Sequence, residues 1–184
     1  TIVYTKWLKK LFPQTPVLLG GIEASLRRLA HYDYWADSLM SGILTQCPAD
    51  LLVYGMGEQP IKDIMKLVGK GVPLSSLKTL NQTAFLHDAL KPLPKNKKWE
   101  DISLPSFEEC LKDKKSFSEA CRVIEQQSNR LNSARLLQDN GVMGTVVVNP
   151  PYPPISTREL DDSYEMPYTR LPHPRYKNRA PIPA

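Results

Sequence analysis

The spacing of apolar positions changes several times along the 184 residues, and each change marks an element. The opening TIVYTKWLKKLFP sets Tyr4, Leu8 and Leu11 at helical spacing, and Pro13 forbids continuation. PVLLGG is an apolar run too short for a helix. Closed by Gly20 and Gly21, it predicts a short buried strand. From Ile22 the period turns helical: Ile22, Leu26, Leu29 and Ala30 share one face, with Glu23 and Arg27 one turn apart as a candidate ion pair.

The same unit then repeats. Leu51 to Tyr54 predicts a second strand, and Gly55 and Gly57 a glycine turn. A second helix carries Ile61, Ile64, Met65 and Val68 on one stripe. Pro60 suits its first turn, and Gly69 or Gly71 ends it. Strand and helix alternating at this length predict an α/β fold, a partial doubly wound parallel sheet with helices on its faces.

Beyond that point the periodicity weakens. VPLSSLKTL suggests a third strand at Leu77–Leu80, and residues 91–100 a polar, proline-broken loop. A helical insertion follows from Phe107 to about Gln127, with Phe117, Cys121 and Ile124 on one face. NSARLLQDNG resembles a helix turning at Gly141, and Val146–Val148 a strand. After Pro150, STRELDDSY predicts one or two helical turns capped by Ser156 or Thr157, within an otherwise extended tail. These readings divide the chain into an α/β domain, 1–149, and a Pro-rich connector, 150–184.

Composition sharpens three points. Proline numbers 17, and nine of these fall between Pro150 and Pro183, which is what makes the tail extended. The net charge of +5 is a mild bias; its densest patch, Lys91, Lys95, Lys97 and Lys98, is broken by Pro92 and Pro94. That patch reads as a solvated loop or a phosphate contact, and a nucleic-acid partner is not expected. Cys47, Cys110 and Cys121 lack the spacing of a zinc, redox or iron–sulfur motif, so they are expected as reduced, mostly buried thiols of a cytoplasmic protein. No apolar run approaches the roughly 18 residues that span a bilayer.

Candidate chemistry gathers at two places. In open α/β sheets ligands bind beyond the carboxyl ends of strands, where Gly20, Gly21 and Glu23 stand in one loop and Gly55, Gly57 and Glu58 in the other. Glycine lets a ligand approach closely, but a strand-to-helix turn needs it anyway. Neither loop fits a Walker or dinucleotide pattern. The second place is HYDYWAD, where His31, Asp33 and Asp37 with aromatics suit metal binding or acid–base work. Its alternative is a helix end whose aromatics pack. His87 and His173 have no partner that sequence names. No complete active site can be read residue by residue.

The ordered set LGGIEASLRRLAHYDYW, ADLLVYGMGE, LPSFE, VVVNPP and MPYTRLPHP resembles the N-terminal region of the YgiQ-type radical S-adenosylmethionine protein family. The resemblance runs from about Pro16 to the last residue. It implies an α/β domain similar to cobalamin-binding or flavodoxin-like domains, preceding a radical barrel that would be its partner. In the family a CxxxCxxC loop binds a 4Fe-4S cluster, and that loop is expected shortly after RAPIPA, beyond this stretch. The resemblance therefore implies a radical enzyme for the parent chain, acting on an unknown substrate, with neither cluster, S-adenosylmethionine nor activity in this part alone.

The resemblance does not bring cobalamin with it as a cofactor, and the alternative reading is a stand-alone flavodoxin-like module that binds cobalamin or a small anion at the Gly20 and Gly57 loops. Glu23 stands where cobalamin-type turns often carry His, and the DxHxxG motif is absent from this stretch. The polar face Glu23, Arg27, Arg28, His31, Asp33 and Asp37 becomes a candidate surface toward the barrel or its substrate, with its side chains expected to be underemployed. An open sheet edge would invite self-association.

Overall fold

The computed structural model describes residues 1–169, 171 and 174–176. His173 and the last eight residues lie outside the described residues. The chain forms two compact units, Thr1–Pro153 and Pro154–Ala184.

The first unit opens with α1 (Ile2–Leu11), which stops ahead of Pro13 as its sequence requires. β1 (Leu18–Leu19) leads through Gly20 into α2 (Gly21–Leu26). The helix is shorter than its apolar spacing predicts, and tertiary hydrogen bonds explain why. The Arg27 carbonyl accepts from Ile43 N–H at 2.7 Å, and Ala30 N–H donates to the buried Gln138 side chain at 2.8 Å. Backbone groups that would have continued the helix are satisfied elsewhere. The expected stripe is therefore broken: Leu29 and Ala30 are buried, while Ile22 is 81% and Leu26 71% exposed.

HYDYWAD is a β-hairpin and not a helix end. β2 (His31–Asp33) pairs antiparallel with β3 (Ser38–Met40), and Trp35 at the turn is 83% exposed. Asp33 makes the turn by accepting from the N–H groups of Trp35 and Ala36, each at 3.0 Å, with Asp37 left-handed at φ 48°. α3 (Ile43–Gln46) and β4 (Leu51–Val53) follow, the strand buried throughout.

α4 (Glu58–Val68) starts at Gly57 and ends at Gly69 as read from the sequence, with Pro60 in its first turn. Only Ile64 of its predicted stripe is fully buried. The segment Leu77–Leu80 is not a strand: a 3₁₀ turn at Leu74–Ser76 precedes it, and the ladder begins later, at β5 (Thr83–His87).

β6 (Asp101–Ser103) precedes two helices where one was expected. α5 (Phe107–Lys112) carries a capping box of Ser106 and Glu109. Asp113, in extended conformation, breaks the run and caps α6 (Lys114–Ser128). The expected helix at NSARLLQDNG is instead β7 (Arg135–Asp139), followed after a 3₁₀ turn by β8 (Thr145–Val148). In β7 two long polar side chains are buried with dedicated partners. Arg135 grips Asp101 by two bonds of 2.8 Å, and Gln138 reaches both the Ala30 N–H and the Pro105 carbonyl.

The six long-range strands form one sheet in the order β1-β4-β5-β8-β7-β6. The α/β class holds, consistent with a flavodoxin-like fold, but the ladders are mixed. β1–β4 and β6–β7 are parallel at the edges, and the three central pairings are antiparallel. The central pairings are antiparallel because β5 enters beside β4 from the opposite end and β8 returns alongside it. Helices cover both faces. Leu52, Ala84, Val146 and Val148 pack on one side, together with Ala24, Ile43, Leu44 and Ile124. Leu51, Val53, Phe85 and Val147 pack on the other, with Ile64 and Leu74.

In the second unit α7 (Thr157–Tyr164) is capped by Ser156, whose hydroxyl accepts from Glu159 N–H while Glu159 reaches back to the Ser156 N–H.

Candidate functional site

Strand direction decides which groups meet. β1, β4 and β8 run one way and β5, β6 and β7 the other. One end of the sheet therefore collects the carboxyl ends of the first three and the amino ends of the rest. Both glycine loops lie at that end. They touch: Gly55 N–H donates to the Ser25 hydroxyl at 3.0 Å, and Ser25 donates to the Gly21 carbonyl at 2.8 Å. Gly21 and Gly55 have φ of +88° and +66°, which favours glycine at both turns.

A residue without a sequence signal holds the second loop. Gln82, itself at φ +58°, donates to the Tyr54 carbonyl at 2.8 Å and to the Met56 carbonyl, and its side-chain oxygen accepts from Tyr152 N–H at 3.3 Å. Asn149 does similar service one strand away. Its side-chain nitrogen donates to the carbonyls of Lys78 and Leu80 and to the Thr83 hydroxyl, and its backbone carbonyl accepts the Tyr54 hydroxyl at 2.6 Å. Asn149 is signalled only as the asparagine after the VVV run.

Between these groups lies a cavity of about 280 Å³, with Arg28, Tyr54, Gly55 and Asn149 in its wall. The Arg28 guanidinium carbon stands 4.8 Å from the centre of the Tyr54 ring. Burial pushes the Tyr54 phenol up, opposed by the Arg28 charge, so Tyr54 is a neutral hydrogen-bond donor. An open groove of about 960 Å³ adjoins it, sharing Ser133, Ala134, Pro150 and Pro151 and bearing Lys98, Trp99 and Arg130.

The polar face expected from the sequence is only partly assembled here. Arg28 lines the cavity, but Glu23, Arg27 and Asp33 bond one another. Arg27 reaches Asp33 at 3.0 Å and Glu23 at 3.7 Å, and Glu23 also accepts from the Thr1 hydroxyl. His31 contacts the Leu29 carbonyl at 3.0 Å, and Asp37 accepts the Tyr32 hydroxyl. These side chains are engaged rather than free. Glu58 sits in the first turn of α4 with Oε2 buried and unpartnered among the described residues. His87 is buried with Nε2 2.9 Å from the Lys91 carbonyl.

The cysteines do not converge. Cys47 and Cys110 are buried, Cys121 is exposed, and among the described residues no three His, Cys, Asp or Glu side chains are grouped to hold a metal ion. The donor set for an iron–sulfur cluster is thus not assembled from these residues. Among the described residues no helix is long and apolar enough to cross a membrane.

The family model for the radical SAM N-terminal region matches residues 1–184. The chain belongs to the radical SAM N-terminal family. The domain is 54% identical over 180 residues to a UPF0313 protein of Porphyromonas gingivalis, covering 97% of this chain and 28% of the relative. It is 48% identical to one from Bacteroides thetaiotaomicron, over 100% of this chain and 31% of that protein. A Geobacter sulfurreducens UPF0313 protein is 40% identical over 100% of the chain and 29% of its own length. The radical SAM N-terminal domain thus spans less than a third of the curated relatives it matches. No solved structure matches it.

Proposed function

We propose that this domain is the non-catalytic α/β part of a cytoplasmic iron–sulfur protein of the radical SAM class. The remainder of such a protein would bind a 4Fe-4S cluster and cleave S-adenosylmethionine reductively to a 5′-deoxyadenosyl radical that acts on an unknown substrate. The observation that carries the reading is the family match over residues 1–184, in relatives of which this stretch makes up under a third. The barrel-bearing remainder is the natural partner for exposed apolar residues of α1 and α2, among them Trp7, Leu11, Ile22 and Leu26. Segment 150–184 would serve as the connector.

Reconstitution with iron and sulfide, run in parallel on the full-length protein and on residues 1–184, tests this. The expected outcome is cluster absorbance and 5′-deoxyadenosine formation with the full-length protein only. A cluster assembling on residues 1–184 alone would sink it.

A second reading has a specific observation in its favour. The two glycine loops meet beside a cavity walled by an arginine, which suits a module binding a small anion or cobalamin there. Saturable binding of a cobalamin or a nucleotide, lost on Glu58→Ala, would favour this second reading.

A further inference from the structure

Arg28 is the one charged residue in the wall of the 280 Å³ cavity. A guanidinium offers five N–H donors and needs acceptors for them when it leaves water. Arg28 spends one donor, from Nη1 to the Ser25 carbonyl, and its Nε is buried without a partner among the described residues. No carboxylate pairs with it among the described residues, although Arg27, the residue before it, has two. Burial lowers the Arg28 pKa, yet a guanidinium stays charged at neutral pH. The Tyr54 ring meets only its face.

Most of the polar groups around Arg28 are already engaged. The Ser25 hydroxyl is taken by Gly55 N–H and the Gly21 carbonyl. Gln127 Oε1 accepts from Ala134 N–H at 2.9 Å, and the Ser133 hydroxyl donates to the Gln127 carbonyl at 2.5 Å. Two polar groups of the wall are left over among the described residues: the Arg28 guanidinium and the Asn149 side-chain oxygen, which is buried and makes no bond to Arg28. The adjoining groove adds Lys98 and Arg130 against the single carboxylate Glu100, so the charged residues lining the two cavities are positive on balance.

We propose that this cavity is an anion subsite in which Arg28 binds the carboxylate or phosphate group of a small ligand, whose body lies in the groove beside Trp99. Both groups match the planar fork of a guanidinium. The inference takes its place in the fold from the second reading above and its chemistry from Arg28 alone.

Arginine-specific modification tests it on the full-length protein. The rate at which phenylglyoxal modifies Arg28 is followed by peptide mass spectrometry, with chloride replaced by inorganic phosphate or by acetate at constant ionic strength. Saturable slowing at Arg28 of about tenfold or more is expected, with the rate at exposed Arg122 unchanged. Stronger protection by phosphate would assign a phosphate ester, and stronger protection by acetate a carboxylate. Equal slowing at Arg28 and Arg122, or no slowing at either, overturns the subsite. Cobalamin and nucleotide titration reads the glycine loops while phenylglyoxal reads Arg28, so either idea can fail without the other.

Discussion

The Gln82 side chain donates to the Tyr54 carbonyl at 2.8 Å, tying the entrance of β5 to the chain leaving β4. The same amide holds the Met56 carbonyl and the Tyr152 N–H, so one residue ties the Gly55 loop to the chain that follows Pro151. Gln82→Ala should cost about 1–3 kcal/mol, since it leaves these groups short of partners. Chemical denaturation should show a lower midpoint at unchanged slope. Amide exchange at Met56 and Gly57 should rise more than exchange in α4. Unchanged exchange there would show that the loop does not depend on Gln82.

Gly144 adopts φ +97°, and a Cβ there would meet the His87 carbonyl oxygen at 2.5 Å. Gly144→Ala should therefore cost well over about 1 kcal/mol, combining a disfavoured backbone with a clash against β5. Gly71→Ala is the control. Its φ is +84° but nothing lies within 4 Å of the added carbon, so it should cost only the backbone part. Thermal unfolding of the two variants separates clash from conformation.

Acid should loosen the Glu23–Arg27–Asp33 chain at a predictable side of the pH scale. The Thr1 hydroxyl, chiefly, holds the Glu23 carboxyl below its ordinary 4.5. The Ala36 N–H, with Arg27 and Trp35 adding, holds Asp33 below 3.8. Because both are lower folded than unfolded, their contribution is fully present above the ordinary values and is lost as pH falls through the folded ones. Carboxyl carbon shifts in an NMR titration should give a midpoint below the ordinary value for each of the two carboxyls. A midpoint for Asp33 above 3.8 would contradict the turn geometry.

Thiol reactivity should rank by burial. Burial raises the pKa of all three cysteines, so each reacts slowly at neutral pH. Cys121 is exposed while Cys47 and Cys110 are buried, so a thiol reagent should label Cys121 first and the others only on unfolding. Peptide mapping after brief alkylation reads this directly. Early label at Cys47 would mean that α3 opens readily.

Elements built on uninterrupted apolar runs were legible in the sequence: β1, β4, β8, and α4 with its glycine boundaries. β7 was hidden because Arg135 and Gln138 occupy buried positions, and only the folded chain supplies Asp101, Ala30 and Pro105 to satisfy them. α2 is shorter than its sequence suggests because its apolar spacing continues while its backbone bonds do not. The glycine loops could be placed from their strands alone. Gln82 and Asn149 could not, since their partners lie 26 to 95 residues away in the chain.

That separation bears on when the cavity can exist. Its wall runs from Ser25 to Pro151, and β8, the last strand to be made, pairs between β5 and β7 at the centre of the sheet. Contacts this distant in sequence close slowly compared with local ones. A nascent chain that had emerged only as far as β7 would carry both glycine loops and Arg28 beside the paired strands β1 and β4, but not β8, whose Val148 leads into Asn149 in the cavity wall. Occupancy of the cavity would then report that synthesis has passed Pro151 and that the sheet has closed.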